Sequence, residues 1–200
     1  MSPLEAHFWY GLACASFGLV HSLLARSSVN SPLRGTFGPF YRMAYNVFAT
    51  LHLVGVWLAG RYLFAGMPDF AFAGWAAAAL TTIYLCGGVV MLFGLTGYDS
   101  GRLGGTRQIR NYFKGIVEPE DEPLRCDGLH RFVRHPLYSA GFLILWGRVV
   151  DEVSLATAIW GSAYLVIGTF FEERWLLSHY GQSYADYRKR VPAFIPRIKA

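Results

Sequence analysis

FAFAGWAAAALTTIYLCGGVVMLFGL, Phe70 to Leu95, runs for 26 residues without one charged side chain. As a helix it would be about 39 Å long at 1.5 Å per residue. A bilayer's hydrocarbon core is about 30 Å thick. A soluble domain could bury such a helix only inside a large polar shell. This chain has 200 residues, 54% of them hydrophobic and 16% charged, too few polar side chains for that shell. The stretch therefore reads as a membrane span. Three others follow the same pattern. Residues 8–24 are uncharged apart from one His, residues 45–58 extend past Arg61 to 64, and residues 155–171 are uncharged. A fifth apolar segment, 136–147, is short. It either spans with help from its flanks or dips in and turns back. The expected fold is all-α: a polytopic membrane protein of about five transmembrane helices with a cytoplasmic C-terminal helical extension. We expect one domain over 1–200, made of a three-helix part (1–95), a cytoplasmic loop (96–135), and a helical hairpin with its tail (136–200). The first 25 residues carry no Lys or Arg, so 8–24 is expected to be a retained helix rather than a cleaved signal.

Charge sets the orientation. With five spans, sixteen of the 18 basic residues fall in the first loop, the third loop and the tail, leaving only Arg61 and Arg148 on the other side. The positive-inside rule then places the N-terminus outside and the C-terminus in the cytoplasm, in a bacterial inner membrane. The sequence pI of 9.2 reflects this topology and contact with anionic lipid. No polar segment interleaves basic and stacking aromatic residues, so nucleic acid is not an expected partner. The lipid bilayer is one, and no obligate protein partner is evident. Cys14 and Cys86 lie in apolar segments and Cys126 in the long loop, with no metal-ligand spacing. No metal site is expected. The acidic run 118–123 is bounded by prolines and reads as a solvated loop that could cover a pocket. After 171 the last helix should continue until Tyr180-Gly181, with a further helix over 183–190. Tyr180, Tyr184 and Tyr187 recur at helical spacing and would line one face.

The chemistry gathers at the two ends of the last hairpin. Arg134-His135-Pro136-Leu137-Tyr138 is answered 34 residues later by Glu172-Glu173. Pro136 suits the first turn of a helix, where its missing N–H is no loss. His135, preceding a proline, is pushed out of the helical basin. A helix start favours an anion through its free N–H groups and dipole, and Arg134 adds a bidentate carboxylate partner. The glutamate pair supplies negative charge where the next helix leaves the membrane. Positive and negative ends close together, beside Tyr138, Tyr180 and Tyr184, suit a zwitterionic ligand carrying an aromatic ring, such as S-adenosylmethionine. The same residues could instead form a salt-bridged helix boundary. His21 and His52 lie within apolar segments, where a His either bonds a neighbouring helix or faces a substrate.

Gly128-Leu-His-Arg-Phe-Val-Arg-His-Pro-Leu-Tyr138, Glu172-Glu-Arg-Trp-Leu-Leu-Ser-His-Tyr-Gly181 and Tyr184-Ala-Asp-Tyr-Arg-Lys-Arg-Val-Pro192 follow one another in order. Together they closely resemble the isoprenylcysteine carboxyl methyltransferase family, over the last 75 or so residues. The N-terminal half, with His21-Ser-Leu-Leu-Ala-Arg26, Tyr41-Arg-Met-Ala-Tyr-Asn46 and Gly104-Gly-Thr-Arg-Gln108, resembles NnrU-domain proteins and the methanethiol S-methyltransferases. The resemblance implies an integral membrane methyltransferase that binds S-adenosylmethionine at the cytoplasmic face. Gln108, Gly128, Leu129, His130, Arg134, His135, Pro136, Tyr138, Glu172, Glu173 and Tyr184 would contact the cofactor, and Glu173 and Arg134 would carry catalysis. The methyl acceptor would be small or lipophilic, a thiol or an isoprenylcysteine carboxylate, with His21 and His52 as candidate substrate contacts.

Two departures from the pattern matter. His130 stands where the family has a tyrosine. Gly168 and Thr169 stand where many carboxyl methyltransferases carry an arginine, which puts a carboxylate acceptor in doubt and favours a thiol. Two other readings of the scaffold are an NnrU-like non-catalytic membrane accessory and a sterol-reductase-like NADPH oxidoreductase. No soluble-type Gly-x-Gly-x-x-Gly loop follows a strand, which excludes a Rossmann methyltransferase.

Overall fold

The computed structural model describes residues 1–25, 27–117 and 123–197. Most of the acidic run lies outside the described residues. Among the described residues nine helices follow in order: α1 (Pro3–Ala25), α2 (Ser27–Phe37), α3 (Tyr41–Leu63), α4 (Gly74–Thr96), α5 (Ser100–Gly104), α6 (Thr106–Phe113), α7 (Pro136–Gly147), α8 (Glu152–Tyr180) and α9 (Gln182–Arg190). Short 3-10 turns lie at Gly38–Phe40 and Gly128–Arg131. By length and composition four segments can cross a membrane: Pro3–Ala25, Pro32–Leu63, Gly74–Thr96 and Glu152–Tyr180. Their outer faces are apolar and bare: Trp75 is 79% exposed and Leu92 69%. Apolar exposure on that scale needs lipid rather than water around it.

The chain forms two compact units. The first comprises Met1–Met67 and Tyr98–Glu120. Here α1 packs along α3. The Tyr41 hydroxyl donates to the Leu24 carbonyl at 2.7 Å, tying the start of α3 to the end of α1. Arg42 Nε and Asn46 Nδ2 both donate to the Leu103 carbonyl, at 3.2 and 2.8 Å, and so hold α5 on α3. Between α5 and α6 the backbone passes through Gly105 at φ +96°, where a Cβ would stand 2.7 Å from the Met43 nitrogen. Only glycine meets both conditions.

The second unit comprises Pro68–Gly97 and Asp121–Ala200. Its centre is the packing of α4 on α7. A Cβ on Gly87 would lie 2.8 Å from the Ile144 backbone nitrogen, so the two backbones are in direct contact. Close approach through small residues is the usual basis of helix association in lipid. With 12 residues α7 is about 18 Å long, well short of the hydrocarbon core. The 29 residues of α8 make about 43 Å. Its start is capped by Asp151, whose carboxylate accepts from Ser154 N–H at 2.8 Å, while Ser154 Oγ accepts from Asp151 N–H at 3.0 Å. Trp146 Nε1 donates to Ser162 Oγ at 3.0 Å and joins α7 to α8.

Helix α8 runs past the apolar stretch and stops at Tyr180, as its sequence indicates. Gly181, at φ +55°, turns the chain and α9 follows. That turn corrects one expectation. Tyr184 and Tyr187 pack together on α9, with ring centroids 6.0 Å apart. Tyr180 stays on α8, against Trp175 and His179. The even spacing of the three tyrosines crosses a helix break, so they do not share one face.

Candidate active site

The site is built where α7 begins. Pro136 occupies the first position of α7, and His135 before it has φ −122° and ψ 68°, outside the helical basin. The chain after α9 comes back across this point as a strap. Pro192 and Ala193 carbonyls accept from the backbone N–H groups of Arg134 and His135, at 2.8 and 3.0 Å. Ser139 Oγ donates to the Phe194 carbonyl at 2.8 Å, and the Phe194 ring packs on His135 and Phe142. These two N–H groups, which could have met an anion, are thus satisfied by the protein.

Glu173 is the centre of the charged cluster. Arg134 donates from Nε and Nη2 to Glu173 Oε1, at 2.8 and 2.5 Å, and from Nη1 to the carbonyls of Arg188 and Val191. His135 Nε2 lies 3.1 Å from the same carboxylate oxygen. A carboxylate only accepts, so that nitrogen carries the proton. Arg188 Nη1 approaches Glu173 Oε2 at 3.8 Å, and Glu172 Oε2 lies 3.6 Å from His135 Nδ1. The side chains of Arg134 and Glu173 are 11% and 14% exposed, and His135 is buried. The guanidinium that could clamp a ligand carboxylate therefore has a protein carboxylate in its place. A carboxylate-bearing ligand would have to share Arg134 with Glu173 or draw it away.

The remaining groups frame this cluster. Tyr138 stacks on His135 with centroids 5.4 Å apart. Tyr184 is 1% exposed, and its buried hydroxyl makes no well-formed hydrogen bond, although Arg134 and Glu173 lie near enough to act on it. Burial first, and the Glu173 charge next, push its ionisation up to about 12. An unsatisfied buried hydroxyl costs roughly 1–3 kcal/mol, so it marks a place where a ligand group would be welcome. His130 Nδ1 lies 3.0 Å from the Arg134 carbonyl, and the Tyr187 hydroxyl donates to the His130 carbonyl at 2.7 Å. Burial holds the His130 imidazole below its ordinary range, so it is neutral near pH 7. Gly128 opens the turn at φ +53°, and Leu129 reaches the α4 glycine Gly94.

The candidate residues between 128 and 184 thus fall in the second unit, most of them around Glu173. Gln108, His21 and His52 belong to the first. Gln108 Nε2 donates to the Arg102 carbonyl at 3.0 Å, leaving a buried Oε1 without a partner. The His21 ring lies 3.0 Å from the Tyr45 hydroxyl, and His52 Nε2 3.1 Å from Ser16 Oγ, each between α1 and α3. Sequence reasoning gave no site role to Arg188, to Tyr187 or to the strap carbonyls 192–194. Backbone acceptors have no sequence signature. Arg188 was hidden in a basic run that reads equally well as a solvated helix end.

Among the described residues the chain is helical and apolar, with a charged, largely buried cluster at one end of a helix hairpin, and the relatives it matches are membrane methyltransferases. The chain is 30% identical to the methanethiol S-methyltransferase of Crocosphaera subtropica, across 91% of this chain and 71% of that one. It is 29% identical to methanethiol S-methyltransferase 2 of Bradyrhizobium diazoefficiens, across 94% and 73%. The chain belongs to the methanethiol S-methyltransferase family. It is also 36% identical to the protein-S-isoprenylcysteine O-methyltransferase of Schizosaccharomyces pombe, over 85 residues that make up 40% of this chain and 35% of that one. No protein-family model and no solved structure matches the chain. The membrane methyltransferase reading is thereby favoured over the accessory and reductase readings.

Proposed function

We propose that this protein transfers the sulfonium methyl of S-adenosylmethionine to a small thiol that reaches the site through the membrane. The observation that carries the reading is the cluster of Arg134, His135, Glu172 and Glu173 beside the buried Tyr184 hydroxyl, in a chain related along its length to thiol methyltransferases. The cofactor carries a carboxylate and an ammonium. Arg134 and the glutamates offer each its opposite charge, with Tyr138 and Tyr184 as ring contacts. Glu173 positions Arg134 and His135. Rate enhancement would come mainly from alignment of nucleophile, methyl and sulfur.

The thiol is favoured over a carboxylate by the absence of a cation at 168 and 169. A Cβ on Gly168 would meet only the Tyr138 hydroxyl, at 4.0 Å, and the Thr169 hydroxyl is spent on the Leu165 carbonyl at 2.9 Å. A carboxylate arriving there would be desolvated without a partner. A neutral thiol crosses lipid and needs none. Orientation belongs to the same proposal: N-terminus outside, C-terminus in the cytoplasm, and α7 as a fifth helix that enters the membrane without the length to cross it alone.

The test is direct. Purified protein in detergent is titrated with S-adenosylhomocysteine, then assayed with methanethiol and with N-acetyl-farnesylcysteine under equal conditions. Binding together with thiol methylation is expected. Absence of binding by folded protein at millimolar ligand overturns the cofactor. Carboxyl methylation without a thiol product overturns the acceptor.

A further inference from the structure

Helix α6, Thr106–Phe113, is built the wrong way round for a helix that faces water. Ile109, Tyr112 and Phe113 recur at i, i+3 and i+4, the spacing of an apolar face that packs on a core. In the structure the polar residues take the inner side instead. Asn111 is 8% exposed. Gln108 Nε2 donates to the Arg102 carbonyl of α5 at 3.0 Å, and Arg107 reaches Asp99, just ahead of α5, at 2.6 Å. Phe113 is left 71% exposed and Tyr112 64%. The apolar surface continues past the helix. Gly115, at φ +65°, turns the chain, and the Ile116 N–H donates to the Asn111 carbonyl at 3.0 Å. Ile116 and Val117 are both exposed, Val117 at 93%.

What covers this surface follows from where it stands. At the head of α6, Gly105 touches the backbone of Met43, in the first turn of α3. Helix α3 belongs to a segment able to cross a membrane, and its long apolar run begins just after Arg42. The contact therefore holds α6 at the boundary between apolar core and headgroups. With eight residues α6 is about 12 Å long, too short to cross. Arg110 and Lys114 are exposed on the same element. Their stems can lie along apolar surface while their charges reach phosphate. Tyrosine is at home at that depth. Apolar side chains rimmed by basic ones are complementary to the acyl boundary and the phosphates of anionic lipid. The acidic run that begins at Glu118 follows directly in sequence and is the competing partner for the two cations.

We propose that α6 and the turn after it lie in the plane of the membrane surface. Tyr112, Phe113, Ile116 and Val117 rest against acyl chains, and Arg110 and Lys114 meet the phosphates of anionic phospholipids. The proposal rests on the pattern of exposure within the first unit and is independent of the methyl-transfer reading.

The intact protein tests it first, in vesicles of phosphatidylcholine and phosphatidylglycerol in equal parts. A phosphatidylglycerol probe with a diazirine on its acyl chain, close to the glycerol, should label residues 112–117 as well as the spanning helices. A phosphatidylcholine probe of the same design should label them less. Arg110→Gln together with Lys114→Gln should abolish that preference while both probes still label. Label on the spanning helices and none on 112–117 overturns the proposal. Equal labelling of the parent by both probes overturns the choice of anionic lipid. Depth is read separately from nitroxides at Phe113→Cys and Val117→Cys, with Cys14, Cys86 and Cys126 replaced by Ala. Molecular oxygen should relax both labels more strongly than a water-soluble nickel chelate does. Relaxation chiefly by the chelate would mean that the face is bathed in water. Protection from both reagents would mean that protein covers it, whether the acidic run or a second copy of the chain. Either result overturns the proposal.

Discussion

His52 meets the Ser16 hydroxyl at 3.1 Å in the first unit, and His135 meets the Glu173 carboxylate at the same 3.1 Å in the second. The distances match and the chemistry does not. The first contact pairs an imidazole with a hydroxyl and joins α1 to α3, with both residues lodged in apolar helices. The second belongs to a set of charged side chains, Arg134, Arg188, Glu172 and Glu173, drawn together at the end of the α7–α8 hairpin. Polar pairs in lipid are helix glue worth about 0.6 kcal/mol on average. Charges held out of water are costly to assemble and are kept where they bind or react. The contrast separates the polar residues that hold this fold from those that carry its chemistry.

The contrast is broken most severely at Glu173. In Glu173→Gln, Arg134 and His135 lose their shared counter-charge in a largely buried place. Removing one partner of such a set costs about 3–5 kcal/mol. We expect a clear drop in thermal stability and loss of measurable S-adenosylhomocysteine binding by titration calorimetry. Parent-like behaviour would reduce the cluster to ornament.

Arg134→Lys retains the charge and loses the fork that serves Glu173 and two carbonyls together. Weaker ligand binding by about 1–3 kcal/mol is expected from the same titration. Gly87→Val tests the scaffold instead. Its side chain would have to displace α7 from α4, costing about 1–3 kcal/mol. The loss should appear as a lower unfolding temperature.

Tyr184→Phe should act in opposite directions on the free and the bound protein. Removing a buried hydroxyl without a well-formed hydrogen bond should stabilise the free protein by about 1 kcal/mol, while ligand binding weakens. Lower stability together with parent-like binding would mean that the hydroxyl has no role in recognition. Its titration gives a further check. Because the folded form raises the Tyr184 ionisation from about 10 to about 12, the neutral ring stabilises the fold fully below the lower value. That contribution is lost as pH rises through the higher one. The phenolate difference spectrum between parent and Tyr184→Phe should therefore appear only near the upper value.

The smallest effect belongs to the polar pairs between helices. His52→Phe should cost about 0.6 kcal/mol, read as a slight lowering of the unfolding temperature. A loss of turnover with unchanged stability would move His52 from glue to substrate contact.

Much of this molecule is readable from its residues. Uninterrupted apolar runs such as 70–95 define helices because a bilayer leaves the backbone no other partner than itself. Pro136 marks a helix start and Gly181 a helix end by their own φ preferences. The pairing of 134–138 with 172–173 follows from a hairpin whose ends must meet. What sequence leaves undecided is which partner each charge takes. Arg134 could have faced a ligand, solvent or a protein carboxylate. Only the folded hairpin, with the strap 191–194 laid across it, commits the guanidinium to Glu173 and to two main-chain carbonyls. The closeness of α4 to α7 and the break that separates Tyr180 from Tyr184 were likewise settled by packing. Helix formation in a membrane is a local matter of hydrogen bonds and apolar surface, so the residues determine it in place. The direction of a side chain's hydrogen bond depends on which acceptor a distant part of the chain brings within 3 Å, and only tertiary structure supplies that.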